Sequence, residues 1–419
     1  MSHFSYQDGV LSADGISLVD IASEHGTPAY VYSRAAIEEQ WQLYEEALKS
    51  RPHLVCYAVK ANSNLSILSF LAELGSGFDI VSVGELERVL KAGGDASKTV
   101  FSGVGKRADE MRRALDVGIK CFNVESAAEL ERLNGVAAEL DMVAPVSLRV
   151  NPDVDAATHP YISTGLRENK FGIPFEEALQ VYQQAAAMEN IQVCGIDCHI
   201  GSQITTVAPY VDALVKIMEL VRSLSQAGIE LEHIDVGGGL GICYQDESPP
   251  TQAELVDAMF NVIEDESIEI LMEPGRSIVG NAAVLLTRVE YLKHNGGHDF
   301  AIVDAAMNDL LRPALYDAEL EIRPVIESAT GRQGIYDVVG PVCESADFLG
   351  LKRDLCIEAG DLLAVMSAGA YSFSMSSNYN SRPRPVEVLV EKSGTRVIRQ
   401  RESLESLMLE ETLPGFAPS

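Results

Sequence analysis

Between residues 53 and 276 the sequence alternates short apolar runs, eight in all, with longer stretches of helical periodicity. The runs are LVCYAVK (54–60), FDIVS (78–82), TVFSGV (99–104), CFNVE (121–125), APVSLRV (144–150), IQVCGIDCHI (191–200), LEHIDV (231–236) and IEILME (268–273). Continuously apolar runs of this length predict strands buried on both faces, the condition of a parallel sheet covered by helices. In 64–74, 84–92, 127–140 and 210–224 apolar residues recur at three and four, and Gly75, Gly93, Gly118 and Gly228 supply helix stops. Eight such strands alternating with helices over ~220 residues predict an α/β fold, a (β/α)8 barrel. An open, doubly wound sheet is the competing reading.

After Pro274 the pattern changes. Strand-like segments at 283–293, 300–304, 335–339, 361–366 and 386–390 are punctuated by Pro and Gly, and few helices intervene. A C-terminal β domain is expected. The opening residues 5–33, apolar near Val10 and at 29–32, are expected to join it. The domain reading is therefore a barrel over 34–273 and a β domain built from 1–33 plus 274–419.

The chain carries 62 acidic against 32 basic residues, a formal net charge of −30. Nucleic acids and anionic membranes bind basic faces, so neither is an expected partner. Residues 1–10 lack the basic and apolar regions of a signal peptide, and no apolar run nears the ~20 residues that span a bilayer. The seven cysteines are odd in number and scattered, which predicts no disulfide framework and a reducing, cytoplasmic setting. Cys194 and Cys198 lie close to His199, but neighbouring side chains on a strand point to opposite faces. Cys198 and His199 therefore do not share a metal, and none is expected.

Catalytic groups of such barrels project from the C-terminal ends of the strands, so polar residues there are the informative ones. Lys60 ends the first run. A lysine desolvated at such a position has the lowered pKa that Schiff-base chemistry needs; the plain alternative is a strand-end lysine reaching water. In the sixth run Asp197 and His199 share a face by period two, and Gly201 and Ser202 follow, small residues suited to a phosphate. A hydrogen-bonded core histidine is the alternative there. Gly237-Gly238-Gly239-Leu240-Gly241 ends the seventh run, where backbone N–H groups can converge on an anion, although glycines also make plain turns. Glu273 ends the eighth; a buried carboxylate there calls for a cation, either Arg276 or a pyridinium nitrogen. A Schiff-base lysine, a ring neighbour, a phosphate loop and a pyridinium partner are together what pyridoxal 5'-phosphate requires.

These residues resemble the fold-type III pyridoxal-phosphate decarboxylases, and within them the subgroup acting on meso-diaminopimelate. The likeness runs from His25-Gly26-Thr27-Pro28 to Asn378-Tyr379-Asn380, through Tyr57-Ala58-Val59-Lys60-Ala61-Asn62, Cys198 to Gln203, the 237–241 glycines, Glu273-Pro274-Gly275-Arg276, Cys343-Glu344-Ser345 and Gly369-Ala370-Tyr371. The resemblance implies that Lys60 carries the cofactor and His199 stacks on its ring. Asp79 and Arg149 would frame it, Ser202, Gly239, Gly275, Arg276 and Tyr371 would hold its phosphate, and Glu273 would keep its ring nitrogen protonated. Alanine racemase, a relative by fold, has arginine at that nitrogen, so Glu273 favours decarboxylation.

The same resemblance assigns the far carboxylate of the substrate to Arg276, Arg312 and Tyr316, with Tyr371 nearby, and its far ammonium to Glu344. Cys343 would reprotonate the carbon that loses CO2, in the active site of a partner subunit, which implies a homodimer whose β domain contributes to substrate site and interface. The product would be lysine. Asp304-Ala305-Ala306 departs from the subgroup's usual Asp-Ala-Gly by one small residue. The rival readings are decarboxylation of ornithine or carboxynorspermidine, against which Arg312 and Glu344 weigh, and a non-catalytic relative, which would have lost Lys60 or Cys343.

Overall fold

The computed structural model describes residues 3–155, 169–327 and 331–414. The chain divides into two compact units, one over residues 38–279 and one formed by 1–37 with 280–419.

In the first unit eight parallel strands close on themselves. We label them β1 (His53–Ala58), β2 (Gly77–Ile80), β3 (Thr99–Phe101), β4 (Cys121–Val124), β5 (Ala144–Asn151), β6 (Ile191–Asp197), β7 (His233–Asp235) and β8 (Glu269–Met272). Neighbours pair in sequence order, and β8 returns to β1 with Ile270 opposite His53 and Met272 opposite Val55. That closure decides for the barrel and against the open sheet.

The strands are buried as their composition demands. Val55 to Ala58, Phe78 to Ile80 and Cys121 to Val124 are almost wholly enclosed. Polar caps start the outer helices: Asn64 accepts from Ser66 N ahead of Leu65–Glu73, Ser82 from Glu85 N ahead of Val83–Lys91, and Ser126 from Glu129 N ahead of Ala127–Glu139. Each such cap satisfies a donor the helix cannot. Gly118 ends Ala108–Val117 in the left-handed conformation at φ 72°, which glycine adopts without Cβ strain.

Most strands stop before their apolar runs do. The first run leaves β-structure at Ala58, and Lys60 lies in a 3-10 turn, Val59–Ala61. The sixth stops at Asp197, so His199 lies in the following loop and the period-two relation to Asp197 does not hold. The chain departs here to build the loops at the barrel mouth, and the apolar composition continues because these loops are themselves buried.

The second unit is mostly sheet. Its spine is the long strand Ala283–Asn295, which pairs antiparallel with Ala29–Ser33, His298–Val303 and Leu362–Val365. Val386–Glu391 adds parallel to Ala29–Ser33. Leu11, Leu18, Val31, Val284, Leu286, Val325 and Val388 form one buried cluster between these elements. Among the described residues no helix is long and apolar enough to cross a membrane.

Candidate active site

Barrel closure brings the strand ends of the first unit to one mouth. Lys60 Nζ lies 2.5 Å from Asp79 Oδ2, at the end of β2. The lysine therefore meets a carboxylate, and its side chain keeps about a third of its exposure (35%). Asn62 turns the chain just beyond it, accepting from Asn64 N at 3.0 Å while its carbonyl takes the Tyr57 hydroxyl at 3.1 Å.

Arg149, from β5, is buried and donates to Glu125 Oε1 at 2.8 Å, with Asp197 Oδ2 at 3.8 Å. Two carboxylates thus fix its guanidinium. The His199 ring accepts from Gly238 N through Nδ1 at 3.1 Å. Burial, with Arg149 and Lys60 nearby, lowers its pKa well below the usual imidazole value, so the ring is neutral at physiological pH.

The loops after β6, β7 and β8 are laced together. Ile204 N donates to Gly239 O at 2.9 Å, Gln203 bonds both backbone groups of Ile242, and the Tyr210 hydroxyl reaches Gly238 O. Gly239 has φ +102°, and a Cβ there would meet Gly201 O at 2.3 Å. Backbone approach this close requires glycine. A Cβ on Gly275 would likewise meet Ala61 Cβ at 2.9 Å, so the β8 loop rests on the turn carrying Lys60. Arg276 is buried, with Nη2 donating to Ser202 Oγ at 2.9 Å and Nη1 to the Tyr244 hydroxyl at 2.5 Å.

Glu273 has no ionic partner among the described residues. Its Oε1 accepts from Asn123 Nδ2 at 3.1 Å and Ser102 Oγ at 3.3 Å. Burial, and after it the charges of Asp235, Asp79 and Asp197, raise its pKa well above the carboxylate range. The sequence reading passed over Ser102, Asn123, Asp235 and Tyr244. The first three are polar residues at or next to the ends of β3, β4 and β7, so the rule that singled out Lys60 and Glu273 also reaches them. Arg276 turns toward Ser202 and Tyr244 rather than closing the barrel with Glu273.

The remaining candidates belong to the second unit. Arg312 is buried at the start of the short helix Arg312–Tyr316, and Tyr316 is half-buried. Tyr371 holds a left-handed backbone at φ 55°, as does Ser367 at 54°, a conformation that costs a bulky residue roughly 1–3 kcal/mol. Contacts on both sides hold this segment: Ala368 N and Gly369 N donate to Ala283 O and Gly280 O, and Ser377 N donates to Asn308 O. Arg382 ties it again, to Asn308 Oδ1 and Asp304 O. Cys343 and Glu344 are exposed on a turn shaped by Asp347, which accepts from Val342 N and Met307 N. Cys343 N donates to Asn380 Oδ1 at 3.0 Å, and the Tyr379 hydroxyl donates to Glu344.

The pyridoxal-binding domain of pyridoxal-dependent decarboxylases matches residues 34–280. Along 99% of its length the chain is 58% identical to the diaminopimelate decarboxylase of Vibrio cholerae, all of which is covered. It is 59% identical to that of Pseudomonas aeruginosa, over 99% of both chains. The chain belongs to the diaminopimelate decarboxylase family. A solved structure of a family member, the Helicobacter pylori enzyme complexed with L-lysine, superposes with a TM-score of 0.90 at 45% identity, over 93% of this chain and 98% of that one. Membership makes the chain a pyridoxal-dependent carboxy-lyase.

One buried pair in this family member ties together the ends of β3 and β4. Lys106 Nζ donates to Gly103 O, Asn123 O and Glu129 Oε1 at 2.7 to 2.8 Å, with both side chains of the pair enclosed. Lys106→Ala strands the Glu129 carboxylate, which should cost roughly 3–5 kcal/mol in urea unfolding at neutral pH. The loss should shrink on acidification, because protonating Glu129 removes the uncompensated charge. A loss below about 1 kcal/mol would show that the pair contributes no more than a surface contact.

Proposed function

We propose that this chain decarboxylates meso-2,6-diaminopimelate to L-lysine and CO2, the last step of lysine biosynthesis, as a cytoplasmic homodimer with Lys60 holding pyridoxal phosphate. The observation that carries the reading is Glu273, a wholly buried carboxyl supplied only with neutral donors. A protonated ring nitrogen is the cation it lacks. The rest of the mouth fits the same group: a lysine within reach of a carboxylate, a neutral histidine face, and a glycine loop beside Arg276 and Ser202.

Pyridoxal phosphate, when bound, supplies a sink for the electron pair left by departing CO2. Lys60 attaches it, and Asp79 orients the lysine amine. His199, uncharged, covers the ring without competing for its electrons, and Arg149 is held still by Glu125 and Asp197. Ser202, the backbone at Gly239 and Gly275, Arg276 and Tyr371 bind the phosphate. Glu273 keeps a proton on the ring nitrogen.

Selection acts at the far end of the substrate. Arg276, Arg312 and Tyr316, with Tyr371, receive the second carboxylate and Glu344 the second ammonium, while Cys343 returns a proton to the carbon that lost CO2. Cys343 and Glu344 act on a site whose Lys60 comes from the other chain. Support for this lies in their exposure on a firmly held turn of a single chain, where a thiol serving chemistry needs cover from water. An isologous two-fold dimer gives both sites that cover at once.

Arg312→Ala should lose roughly 10²–10³-fold in kcat/KM on meso-diaminopimelate, the cost of removing one partner of a buried charge pair. Its residual turnover of lysine or ornithine, which lack the second carboxylate, should change far less. Equal losses on all three would assign Arg312 to the fold or cofactor instead. Sharing of sites is tested by mixing Lys60→Ala with Cys343→Ala protein, each nearly inactive alone. After subunit exchange about half the dimers are mixed and each has one intact site, so about a quarter of wild-type activity should return. No recovery after verified exchange contradicts the shared site.

A further inference from the structure

Five carboxyl groups crowd the barrel mouth: Asp79, Glu125, Asp197, Asp235 and Glu273, all of them buried. Lys60 answers Asp79, and Arg149 answers Glu125 and, at 3.8 Å, Asp197. His199 is neutral there, and Lys106 is engaged by Glu129. Asp235 and Glu273 make no ion pair among the described residues, although oxygens of Asp197, Asp235 and Glu273 lie within 4.8 Å of one another. Neutral groups hold them instead. Gly237 N donates to Asp235 Oδ1 at 2.9 Å, turning that carboxylate from β7 toward the mouth. Asn123 Nδ2 spans Ser102 Oγ and Glu273 Oε1, both at 3.1 Å.

Two carboxyls so close, and so short of cations, do not both ionise; they hold one proton between them. We propose that Asp235 is a positioning residue for Glu273, whose charge keeps that shared proton at the junction of Glu273 and the cofactor's ring nitrogen. The inference rests on the reading of Glu273 as the ring-nitrogen partner and adds what sets its proton affinity. Burial raises the pKa of Asp235 only to about 6, whereas Glu273 is raised well above the carboxylate range by burial and then by Asp235 itself. Of this pair, Glu273 is therefore the one that holds the proton and Asp235 the one that carries the charge. Glu273 would share that proton with the ring nitrogen of a bound cofactor, its own carboxylate then balancing the cation, with the total charge unchanged. Asp235, still ionised, would add its charge to the field that keeps the proton at that junction.

Asp235→Asn isolates the charge, because the amide oxygen still accepts from Gly237 N. The holoenzyme is loaded with pyridoxal phosphate labelled with 15N in the ring, and the ring-nitrogen shift is titrated by NMR alongside the cofactor affinity. In Asp235→Asn the midpoint of ring-nitrogen deprotonation should fall by about one to two pH units, the effect of removing a unit charge roughly 7–10 Å away in a protein interior. Asp235→Ser, a second charge-free variant, should behave alike and stands in if the first does not fold. A role confined to holding the glycine loop would change affinity and leave the midpoint where it was. An unmoved midpoint in the Asp235 variants, with a moved one in Glu273→Gln, overturns the proposal and leaves Glu273 as the nitrogen's partner. An unmoved midpoint in Glu273→Gln overturns both.

Discussion

Glu273 ends a strand enclosed on both faces, and among the described residues no lysine or arginine is paired with it. An ionised carboxylate taken from water costs several kcal/mol unless charge or protons compensate it. The rest of the barrel mouth is arranged around that cost. Lys60 is committed to Asp79, Arg149 to Glu125 and Asp197, and Lys106 to Glu129. What remains is a carboxyl that either keeps its proton or meets a cation brought from outside. A pyridine ring that can be protonated is such a cation, and its electron-withdrawing power depends on the proton that Glu273 needs. Satisfying the fold and activating the cofactor are, in this reading, the same event.

A second constraint comes from backbone approach. The loops after β6, β7 and β8 touch through main-chain atoms, with Gly239 against Gly201 and Gly275 against the Lys60 turn. Side chains in these positions would separate the loops and displace Arg276 from Ser202. Hydrogen bonds from Gln203, Ile204 and Tyr210 then fix the spacing without relying on a ligand. An anion binding there would meet groups already in place, which limits the reorganisation cost of binding.

The barrel was legible because fully buried parallel strands leave a strong compositional trace, and every one of its eight runs overlaps a strand of the closed sheet. Strand ends were less legible, since apolar composition continues into buried loops after Ala58 and Asp197. In the second unit the ten-residue strand Phe348–Ile357 left no clear trace. Its alternation is broken by Gly350 and by Lys352, which stands at φ 53° with its N–H bonded to Asp337. Such an irregularity inverts the in–out pattern on which strand reading depends. Lys60, His199 and Glu273 stood out as polar residues at strand ends. Asp235, Asn123 and Ser102 obey the same rule but were masked by apolar neighbours, because their role emerges only when barrel closure brings β3, β4, β7 and β8 together. Arg312, Tyr316 and Glu344 carry no periodic signal, and only resemblance pointed to them.

The central claim is that the cofactor is attached at this mouth, by Lys60. Two lysines are candidates there: Lys60 beside Asp79, and Lys106, enclosed against Glu129. Borohydride reduction of the holoenzyme followed by peptide mapping distinguishes them in one measurement. The phosphopyridoxyl group should be found on Lys60 alone, with Lys60→Ala protein left unlabelled. Label on Lys106 or any other lysine would contradict the arrangement of the whole site.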